Sequence, residues 1–286
     1  MENFANIIGV DLGGTNIRAG KVVGPEIVHI EKIPTPSQGT ETEVLESLFT
    51  VIDGCFNKHT TSIGLGVPSV VDVEKGIVFD VANIPSWKVV PLKSILEERY
   101  RVKVFVNNDA NCFALGEKHF GKALPYNAIV GLTIGTGMGS GLIFNGRVYE
   151  GVNCGAGEFG NIPYLNSNFE HYCSGQFFSE EKSISAIEAY QLATKGDKAA
   201  IQMFTEFGFH MGQAVKSILY AYDPDIVVLG GSLTKSYDFF KTSMFNAIQD
   251  FAYRNVLQNL KIECSELEHS AIYGAAALYL NKQANV

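Results

Sequence analysis

Apolar residues recur at two spacings along this chain, and the two spacings predict alternating strands and helices. Short β-branched or alternating runs predict strands at residues 7–10, 62–67, 102–106, 128–134, 225–229 and 261–267. Apolar residues three and four positions apart predict helices at residues 44–55, 110–121, 179–194, 197–222 and 271–282. The first of these helices opens on a capping box, Thr40-Glu41-Thr42-Glu43. This alternation predicts a mixed α/β protein.

Two glycine-rich turns connect neighbouring strands. The first strand runs into Asp11-Leu12-Gly13-Gly14-Thr15-Asn16, and a second strand follows at once; the strand at 128–134 runs into the turn 135–141 in the same way. Glycine tolerates positive φ and lets backbone amides approach an anion closely. Because both turns join strand to strand, neither is a Rossmann fingerprint or a P-loop. Two such hairpins predict two similar domains that face one cleft.

The stretch Asn107-Asn108-Asp109-Ala110-Asn111 lies between a predicted strand and a predicted helix. A carboxylate at such a junction is by default the N-cap of the helix, and that interpretation of Asp109 stays open here. The neighbouring amides and the two glycine-rich turns favour a second interpretation. In it, the Asp109 carboxylate orients a substrate hydroxyl towards a nucleotide.

Composition and charge limit the classes of partner. The chain has 286 residues, 46% of them hydrophobic, and a net charge of −8, which argues against nucleic acid or an acidic membrane as the main partner. The first residues lack the features of a signal peptide, and no apolar run approaches the roughly 18 residues that span a bilayer. A cytoplasmic protein is therefore expected. The five cysteines lack metal-site spacing and are expected to be buried small hydrophobic residues.

Five motifs in a fixed order resemble the ROK family of bacterial sugar kinases, within the larger actin and hexokinase ATPase superfamily. They lie at residues 11–16, 108–111, 135–137, 155–160 and 229–231, so the resemblance covers essentially the whole chain. It implies an α/β protein with the two-domain actin/hexokinase-like ATPase fold and a cleft between the domains. The expected division is a smaller N-terminal domain, 1–112 plus 271–286, and a larger C-terminal domain, 113–270.

The resemblance also implies a nucleotide site and a catalytic base. Asp109 takes the role of the base, and ATP would lie between the two glycine-rich turns. The implied nucleotide-binding residues are Asp11, Gly13, Gly14, Thr15, Asn16, Arg18, Gly135, Thr136, Gly137, Gly230 and Gly231. Asp11 could orient Mg²⁺ through water. The alternative for Asp11, a strand-end carboxylate that satisfies turn amides, stays open.

The implied sugar-binding residues are Asn83, Asn108, Asp109, Glu158, Asn161 and Glu170. Trp87, close to Asn83, is expected either beside the sugar or in the core. The family usually has a His and a three-cysteine loop between its two glutamates, and these four residues bind a structural zinc. Here Asn161 replaces the His and the cysteine loop is missing, so we expect no zinc and no other protein-bound metal.

The resulting hypothesis is an ATP-dependent sugar kinase that converts glucose to glucose 6-phosphate. Fructose, mannose, allose and N-acetylmannosamine remain open as acceptors. The alternatives from other classes are a sugar-binding repressor of the same family and a non-catalytic sugar-binding protein. A repressor would carry a DNA-binding domain before the first glycine-rich turn, and Asp11 follows Met1 by only ten residues. The expected partners are the sugar and ATP, and neither nucleic acid nor a membrane is expected to bind. The expected oligomeric state is a homodimer.

Overall fold

The chain divides into two units of contacting residues, and the first unit is built from three separate segments. A computed structural model describes residues 6–283. Within that range, unit 1 comprises residues 6–125, 141–156 and 266–283, and unit 2 comprises residues 126–140 and 157–265. The division expected from the sequence, 1–112 with 271–286 against 113–270, stays a prediction, because a unit of contacting residues is not the same as an independently folding domain.

Strands and helices alternate through the described residues. In chain order the elements are β1 (Asn6–Leu12), β2 (Asn16–Val23), β3 (Glu26–Pro34), α1 (Glu41–Cys55), β4 (Thr60–Val67), β5 (Val70–Asp72), β6 (Ile77–Phe79), β7 (Val89–Val90), α2 (Leu92–Tyr100), β8 (Lys103–Asn108), α3 (Asp109–Phe120), β9 (Ile129–Ile134), β10 (Met138–Phe144), β11 (Arg147–Val148), β12 (Pro163–Tyr164), β13 (Ser167–Asn168), α4 (Phe169–Tyr172), α5 (Ala186–Thr194), α6 (Lys198–Tyr222), β14 (Ile226–Gly230), α7 (Tyr237–Ala247), α8 (Arg254–Asn259), β15 (Lys261–Cys264) and α9 (Ser270–Gln283). In residues 6–283 no helix is both long and apolar enough to cross a membrane.

Two five-stranded sheets share one strand order. The first runs β3-β2-β1-β4-β8, with β1 antiparallel to β2 and parallel to β4. The second runs β11-β10-β9-β14-β15, with β14 parallel to both β9 and β15. In each, a hairpin is followed by parallel strands that need helical crossovers. This repeated order matches the two similar halves that the paired glycine-rich hairpins predict, and the mixed α/β class is confirmed.

The capping box at the start of α1 is also confirmed. The Thr40 hydroxyl accepts a hydrogen bond from the Glu43 backbone N–H at 3.3 Å, and the Glu43 carboxylate accepts one from the Thr40 N–H at 2.7 Å. This reciprocal pair satisfies two of the N–H groups that a helix start leaves without partners. The apolar face of α1 is buried in the core of unit 1 through Val44, Leu48, Val51, Ile52 and Cys55.

The prediction of one helix over 179–194 is wrong. A π-helical turn covers Phe177–Glu181, and α5 begins only at Ala186. Between them Ser183 has φ +55°, and the Ser185 hydroxyl accepts a hydrogen bond from the Glu188 N–H at 3.1 Å. Serine hydroxyls compete with the backbone of a helix interior and favour caps, which is why the helix starts anew at this point. The predicted last strand, 261–267, is shorter than expected, because its pairing with β14 ends at Cys264.

Within unit 1, glycines let α9 pack directly on the backbones of β1, β4 and α3. A Cβ at Gly274 would overlap the Cys112 carbonyl oxygen of α3. Cβ atoms at Gly9 of β1 and Gly64 of β4 would overlap carbonyl oxygens of α9, those of Ile272 and Ala275. These positions admit only hydrogen at the Cα, so backbone meets backbone. The contact ties α9 to both β1 and α3.

Unit 1 contains a histidine whose burial makes its stability depend on pH. Burial, and secondarily Lys118, lowers the pKa of His119 to about 4, and Nε2 has no hydrogen-bond partner among the described residues. In the unfolded chain this histidine binds a proton near pH 6.5. The free energy of unfolding therefore keeps its full value above pH 6.5 and falls as pH falls towards 4. At pH 5 the loss is on the order of 2 kcal/mol.

The variant His119→Phe should remove this loss, because phenylalanine fills a similar volume and binds no proton. We expect the fall in melting temperature between pH 7 and pH 5 to be smaller than in the wild type. His59→Gln, at an exposed histidine, is the matched control and should leave the fall unchanged. If the melting temperature of His119→Phe fell between pH 7 and pH 5 by as much as that of the wild type, His119 would not be the cause of the acid sensitivity.

Candidate functional site

Asp109 is the first residue of α3, and the helix is capped by its neighbour. The Asn108 side-chain oxygen accepts hydrogen bonds from the N–H groups of Ala110, at 2.9 Å, and Asn111, at 3.4 Å. The default interpretation of Asp109 as the N-cap is therefore wrong, because the amide one residue earlier satisfies the helix start. The Asp109 carboxylate accepts the Ala110 N–H at 2.9 Å. A carboxylate at this end of a helix also interacts favourably with the helix dipole.

A buried amide, Asn107, organises this junction, and sequence reasoning did not assign it a role. Its side-chain oxygen accepts from the Asn108 N–H at 2.8 Å and from the Asn111 amide at 2.9 Å. Its amide nitrogen donates to Glu150 at 2.7 Å. Asn107 is fully buried, and both its side-chain oxygen and its amide nitrogen have hydrogen-bond partners, as buried polar groups generally do. The run of three asparagines around Asp109 is the signal that could have found it.

The first glycine-rich turn is closed by its own backbone. The Gly13 N–H donates to the Asn16 carbonyl at 3.0 Å, and the Thr35 hydroxyl donates to the Gly13 carbonyl at 2.6 Å. A Cβ at Gly14 would lie 2.7 Å from the Asn83 Cβ. The predicted sugar-side residue Asn83 thus packs against the predicted phosphate-binding turn. Thr35 was not predicted, because it lies 22 residues from the turn that it anchors.

Asp11 and Arg18 form an ion pair across β1 and β2. The two residues face each other in the antiparallel register, and the Arg18 Nε donates to the Asp11 carboxylate at 3.0 Å. A second nitrogen of the guanidinium, Nη2, contacts the same carboxylate oxygen. Burial raises the pKa of the Cys112 thiol, and the charges of Asp109 and Asp11 act in the same direction. Both carboxylates therefore influence one buried thiol of unit 1.

The second glycine-rich turn is held by the segment that carries Glu170. The Gly135 N–H donates to the Gly137 carbonyl at 2.9 Å, and the Gly175 N–H donates to the Gly135 carbonyl at 2.7 Å. The Glu170 carboxylate accepts the Met138 N–H at 2.9 Å. A Cβ at Gly137 would lie 2.5 Å from that carboxylate, so only glycine leaves room for it. In unit 2, the predicted turn Gly135-Thr136-Gly137 is therefore in contact with Glu170, the predicted sugar ligand.

Two further predicted groups lie in unit 2. The Asn161 amide donates to the Glu158 carboxylate at 2.9 Å, at the two ends of one 3₁₀ turn. Gly230 ends β14, and Gly231 follows with φ +90°. A Cβ at Gly231 would overlap the Ile134 carbonyl oxygen of β9. The turn after β14 therefore requires glycine both for its backbone angle and for its closeness to β9.

The structure brings the predicted residues together in two sets, one in each unit. Unit 1 holds the first turn with Asn83, the Asp11–Arg18 pair and the Asn108-Asp109 junction. Unit 2 holds the second turn with Glu170, the Glu158–Asn161 pair and Gly230-Gly231. A cavity of about 490 Å³ in unit 1 lies elsewhere, and its lining contains none of the predicted site residues.

The absence of structural zinc stays a prediction, and the contacts of this segment support it. The Asn161 amide is bonded to Glu158, and Cys173 is the only cysteine between residues 157 and 180. Among residues 6–283 no group of three or more His, Cys, Asp or Glu side chains could hold a metal ion.

Treatment with a strong chelator should therefore leave the melting temperature unchanged, because a structural zinc contributes folding free energy and none is expected here. Elemental analysis should find far less than one zinc per chain. Stoichiometric zinc together with unfolding by the chelator would contradict this prediction.

Comparisons with known proteins agree on one family. The model of the ROK family matches residues 7–282. The glucokinase of Thermotoga maritima is 27% identical over 95% of this chain and 96% of its own. The N-acetyl-D-glucosamine kinase of Vibrio parahaemolyticus is 33% identical over 79% of this chain and 84% of its own. The xylose repressor of Caldicellulosiruptor bescii is 26% identical over 95% of this chain and 77% of its own.

Solved structures agree with this result. A ROK hexokinase from Thermus thermophilus superposes with a TM-score of 0.83 at 28% identity, covering 98% of this chain and 99% of its own. A ROK family glucokinase from Streptomyces griseus, in complex with glucose and AMPPNP, superposes with a TM-score of 0.81 at 25% identity, covering 97% and 99%. The expected actin/hexokinase-like ATPase fold is thereby confirmed.

Proposed function

Because the chain belongs to the ROK family, we propose that it is an ATP-dependent kinase that phosphorylates a hexose, with the 6-hydroxyl of glucose as the acceptor. The observation that carries the proposal is the placement of Asp109. It follows β8 directly and stands first in α3, a helix that its neighbour Asn108 caps. The glucokinase relatives, one of them solved with glucose and an ATP analogue, support both substrates.

Asp109 orients the acceptor and takes its proton. The sugar hydroxyl lies in line with the γ-phosphorus, the new O–P bond forms as the bond to the β-phosphate oxygen breaks, and ADP leaves. In such loose transition states the acceptor proton is lost late, so positioning contributes more than basicity. Asn107 and Asn108 fix the backbone that carries Asp109, and this limits the directions in which its carboxylate can point.

The two glycine-rich turns bind the phosphates through backbone N–H groups. The Gly13 and Gly135 amides close their own turns, which leaves Gly14, Thr136 and Gly137 as the proposed donors. Asp11 fits the donor set that Mg²⁺ prefers, which is one or two carboxylates with substrate phosphates. When bound, Mg²⁺ neutralises charge on the phosphates. Arg18 neutralises Asp11 and fixes its side chain beside the first turn.

The sugar hydroxyls are bound by carboxylates and amides. An ionised carboxylate has about four acceptor sites, so Glu158 and Glu170 can accept sugar hydroxyls beside the protein hydrogen bonds that they already accept, and the amides of Asn83, Asn108 and Asn161 both donate and accept. The Asn161–Glu158 hydrogen bond fixes the orientation of that carboxylate before sugar binds. Preorganisation of this kind raises affinity, because less ordering remains to be done on binding.

N-acetylglucosamine is the second candidate acceptor. The N-acetyl-D-glucosamine kinases of Vibrio parahaemolyticus and Vibrio cholerae are 33% and 31% identical to this chain, against 27% for the glucokinase of Thermotoga maritima. Their alignments cover less of this chain, 79% and 80% against 95%. The two acceptors differ at C2, where the acetamide is larger than a hydroxyl. A direct comparison of the two sugars decides between them.

The test is a coupled assay of ADP release with ATP and Mg²⁺ across glucose, N-acetylglucosamine, mannose, fructose, allose and N-acetylmannosamine. We expect the highest kcat/KM with glucose, and phosphorus NMR should place the phosphate on O6. A higher kcat/KM with N-acetylglucosamine would replace glucose by that sugar. Sugar binding without ADP release for any sugar would favour a sugar-binding repressor or a non-catalytic sugar-binding protein over a kinase, and a xylose repressor is among the relatives. The homodimer and the cytoplasmic location expected from the sequence stay predictions.

A further inference from the structure

We propose that Tyr164 and His210 are positioning residues that hold Glu170 in the orientation in which it binds the sugar. The inference rests on the proposed function, since it concerns a residue of the proposed sugar site. Neither Tyr164 nor His210 is among the proposed sugar-binding residues. They act through Phe169, which immediately precedes Glu170 in α4.

Glu170 lies on a helix too short to orient itself. The helix α4 has four residues, and isolated helices of that length are not stable in water, so tertiary contacts must set its direction. The side-chain oxygens of Glu170 accept hydrogen bonds from the Met138 N–H at 2.9 Å and from the Gln176 amide at 3.2 Å. These bonds hold the carboxylate, and the backbone of α4 needs an anchor of its own.

The hairpin before α4 supplies this anchor. In β12 and β13, Pro163 pairs with Asn168 and Tyr164 with Ser167, and the Phe169 N–H donates to the Ile162 carbonyl at 3.1 Å. The Tyr164 ring then stacks on the Phe169 ring, with centroids 4.5 Å apart and planes 17° from parallel. The position of Phe169, and hence of Glu170, follows from the position of Tyr164.

His210 fixes Tyr164 to the long helix of unit 2. The Tyr164 hydroxyl lies 3.0 Å from Nδ1 of His210, in the interior of α6, and the histidine is 7% exposed. Burial raises the pKa of Tyr164 to about 12 and lowers the pKa of His210, so near neutral pH a protonated hydroxyl and a neutral imidazole share this hydrogen bond. The Tyr172 and Phe177 rings, with centroids 5.0 and 5.6 Å from that of His210, enclose the pair.

The sequence of contacts is therefore continuous from α6 to the proposed sugar ligand. It runs from the imidazole to the Tyr164 hydroxyl, through the ring stack to Phe169, and along the peptide bond to Glu170. A rigid helix of 25 residues is the fixed end. Loss of the hydroxyl frees Tyr164 and lets α4 shift, while the stacked ring still fills its volume.

The test compares Tyr164→Phe with wild type in the coupled assay and by direct binding of glucose. We expect a rise of about 3- to 10-fold in both KM and Kd for glucose, the size of one lost hydrogen bond, with kcat nearly unchanged. His210→Phe removes the other partner of the same hydrogen bond and should give a rise of the same size. Tyr237→Phe is the matched control, because it removes another half-buried tyrosine hydroxyl of unit 2, which lies 3.4 Å from the Ile262 carbonyl. It should leave both constants unchanged.

A double-mutant cycle with Glu170→Gln separates positioning from general stability. If Tyr164 acts through Glu170, Tyr164→Phe should change the glucose Kd less than 2-fold in the Glu170→Gln background. An equal effect in both backgrounds, or an unchanged Kd in Tyr164→Phe alone, would overturn the inference and leave the proposed function standing. If Glu170→Gln itself binds glucose as wild type does, the sugar role of Glu170 and this inference fall together. Melting temperatures of all variants are measured in parallel.

Discussion

Replacing Asp109 with Asn is expected to lower turnover by a factor of about 10² or more, within the range of general-base contributions. Asparagine has the shape of aspartate and can still orient the sugar hydroxyl, so sugar affinity should stay close to that of wild type. It cannot accept the proton that the hydroxyl loses. The cap of α3 is unaffected, because Asn108 provides it.

Steady-state kinetics with glucose and ATP, together with direct measurement of the glucose Kd, test this prediction. Asp197→Asn is the matched control: it removes one carboxylate at the start of another helix, α6, where either side chain can accept the Ala200 N–H. The control should retain wild-type turnover. Turnover like that of wild type in Asp109→Asn would remove Asp109 from the mechanism, and a large rise in Kd would assign it to binding instead.

The second large effect concerns stability. Gly274→Ala should lower the free energy of unfolding by about 3 kcal/mol or more, at the upper end of the cost of overpacking a core. The new Cβ would overlap the Cys112 carbonyl oxygen, which belongs to the backbone of α3 and cannot rotate away. Alanine is favoured over glycine in a helix by about 1 kcal/mol, so the steric effect is the larger of the two.

Urea unfolding followed by tryptophan fluorescence measures this effect in unit 1. Trp87 is the only tryptophan of the chain, and it is fully buried in the core of that unit, which decides between the two positions expected for it. Gly155→Ala is the matched control, because a Cβ at Gly155 would have no atom within 4 Å. The urea midpoint of this variant should match that of wild type. A midpoint for Gly274→Ala equal to that of the control would show that α9 can move away from α3 at little cost.

The elements with a strong local signal were predictable from the sequence. The apolar run of β1, the alternation in β8, the capping box of α1 and the glycines of the two hairpin turns are each specified by neighbouring residues, and the structure confirms them. The break in the helix over 179–194 was not predictable. The apolar spacing continues through this segment, while a serine cap and a residue in the left-handed conformation interrupt the helical hydrogen bonds. Periodicity reports which face is buried, and it does not report where the hydrogen-bond ladder breaks.

The parts of the candidate site that sequence reasoning missed depend on contacts between distant residues. Thr35 anchors a turn 22 residues away, and Asn107 bonds to Glu150 at a separation of 43 residues. The cap at Asn108 rather than Asp109 is a local choice between two adjacent good capping residues, and their propensities are too similar to decide it. Tertiary geometry selects one of them. Side-chain chemistry was thus more predictable than the partner of each side chain.

The glycine contacts of α9 have a consequence for biosynthesis. The faces of β1 and β4 at Gly9 and Gly64 are covered by a helix that follows residues 126–265 in the chain. On the ribosome, the first sheet must therefore remain uncovered on that side while all of unit 2 is translated. Such nascent apolar surface is what chaperones bind. Unit 1, although begun first, becomes complete only after unit 2 has emerged.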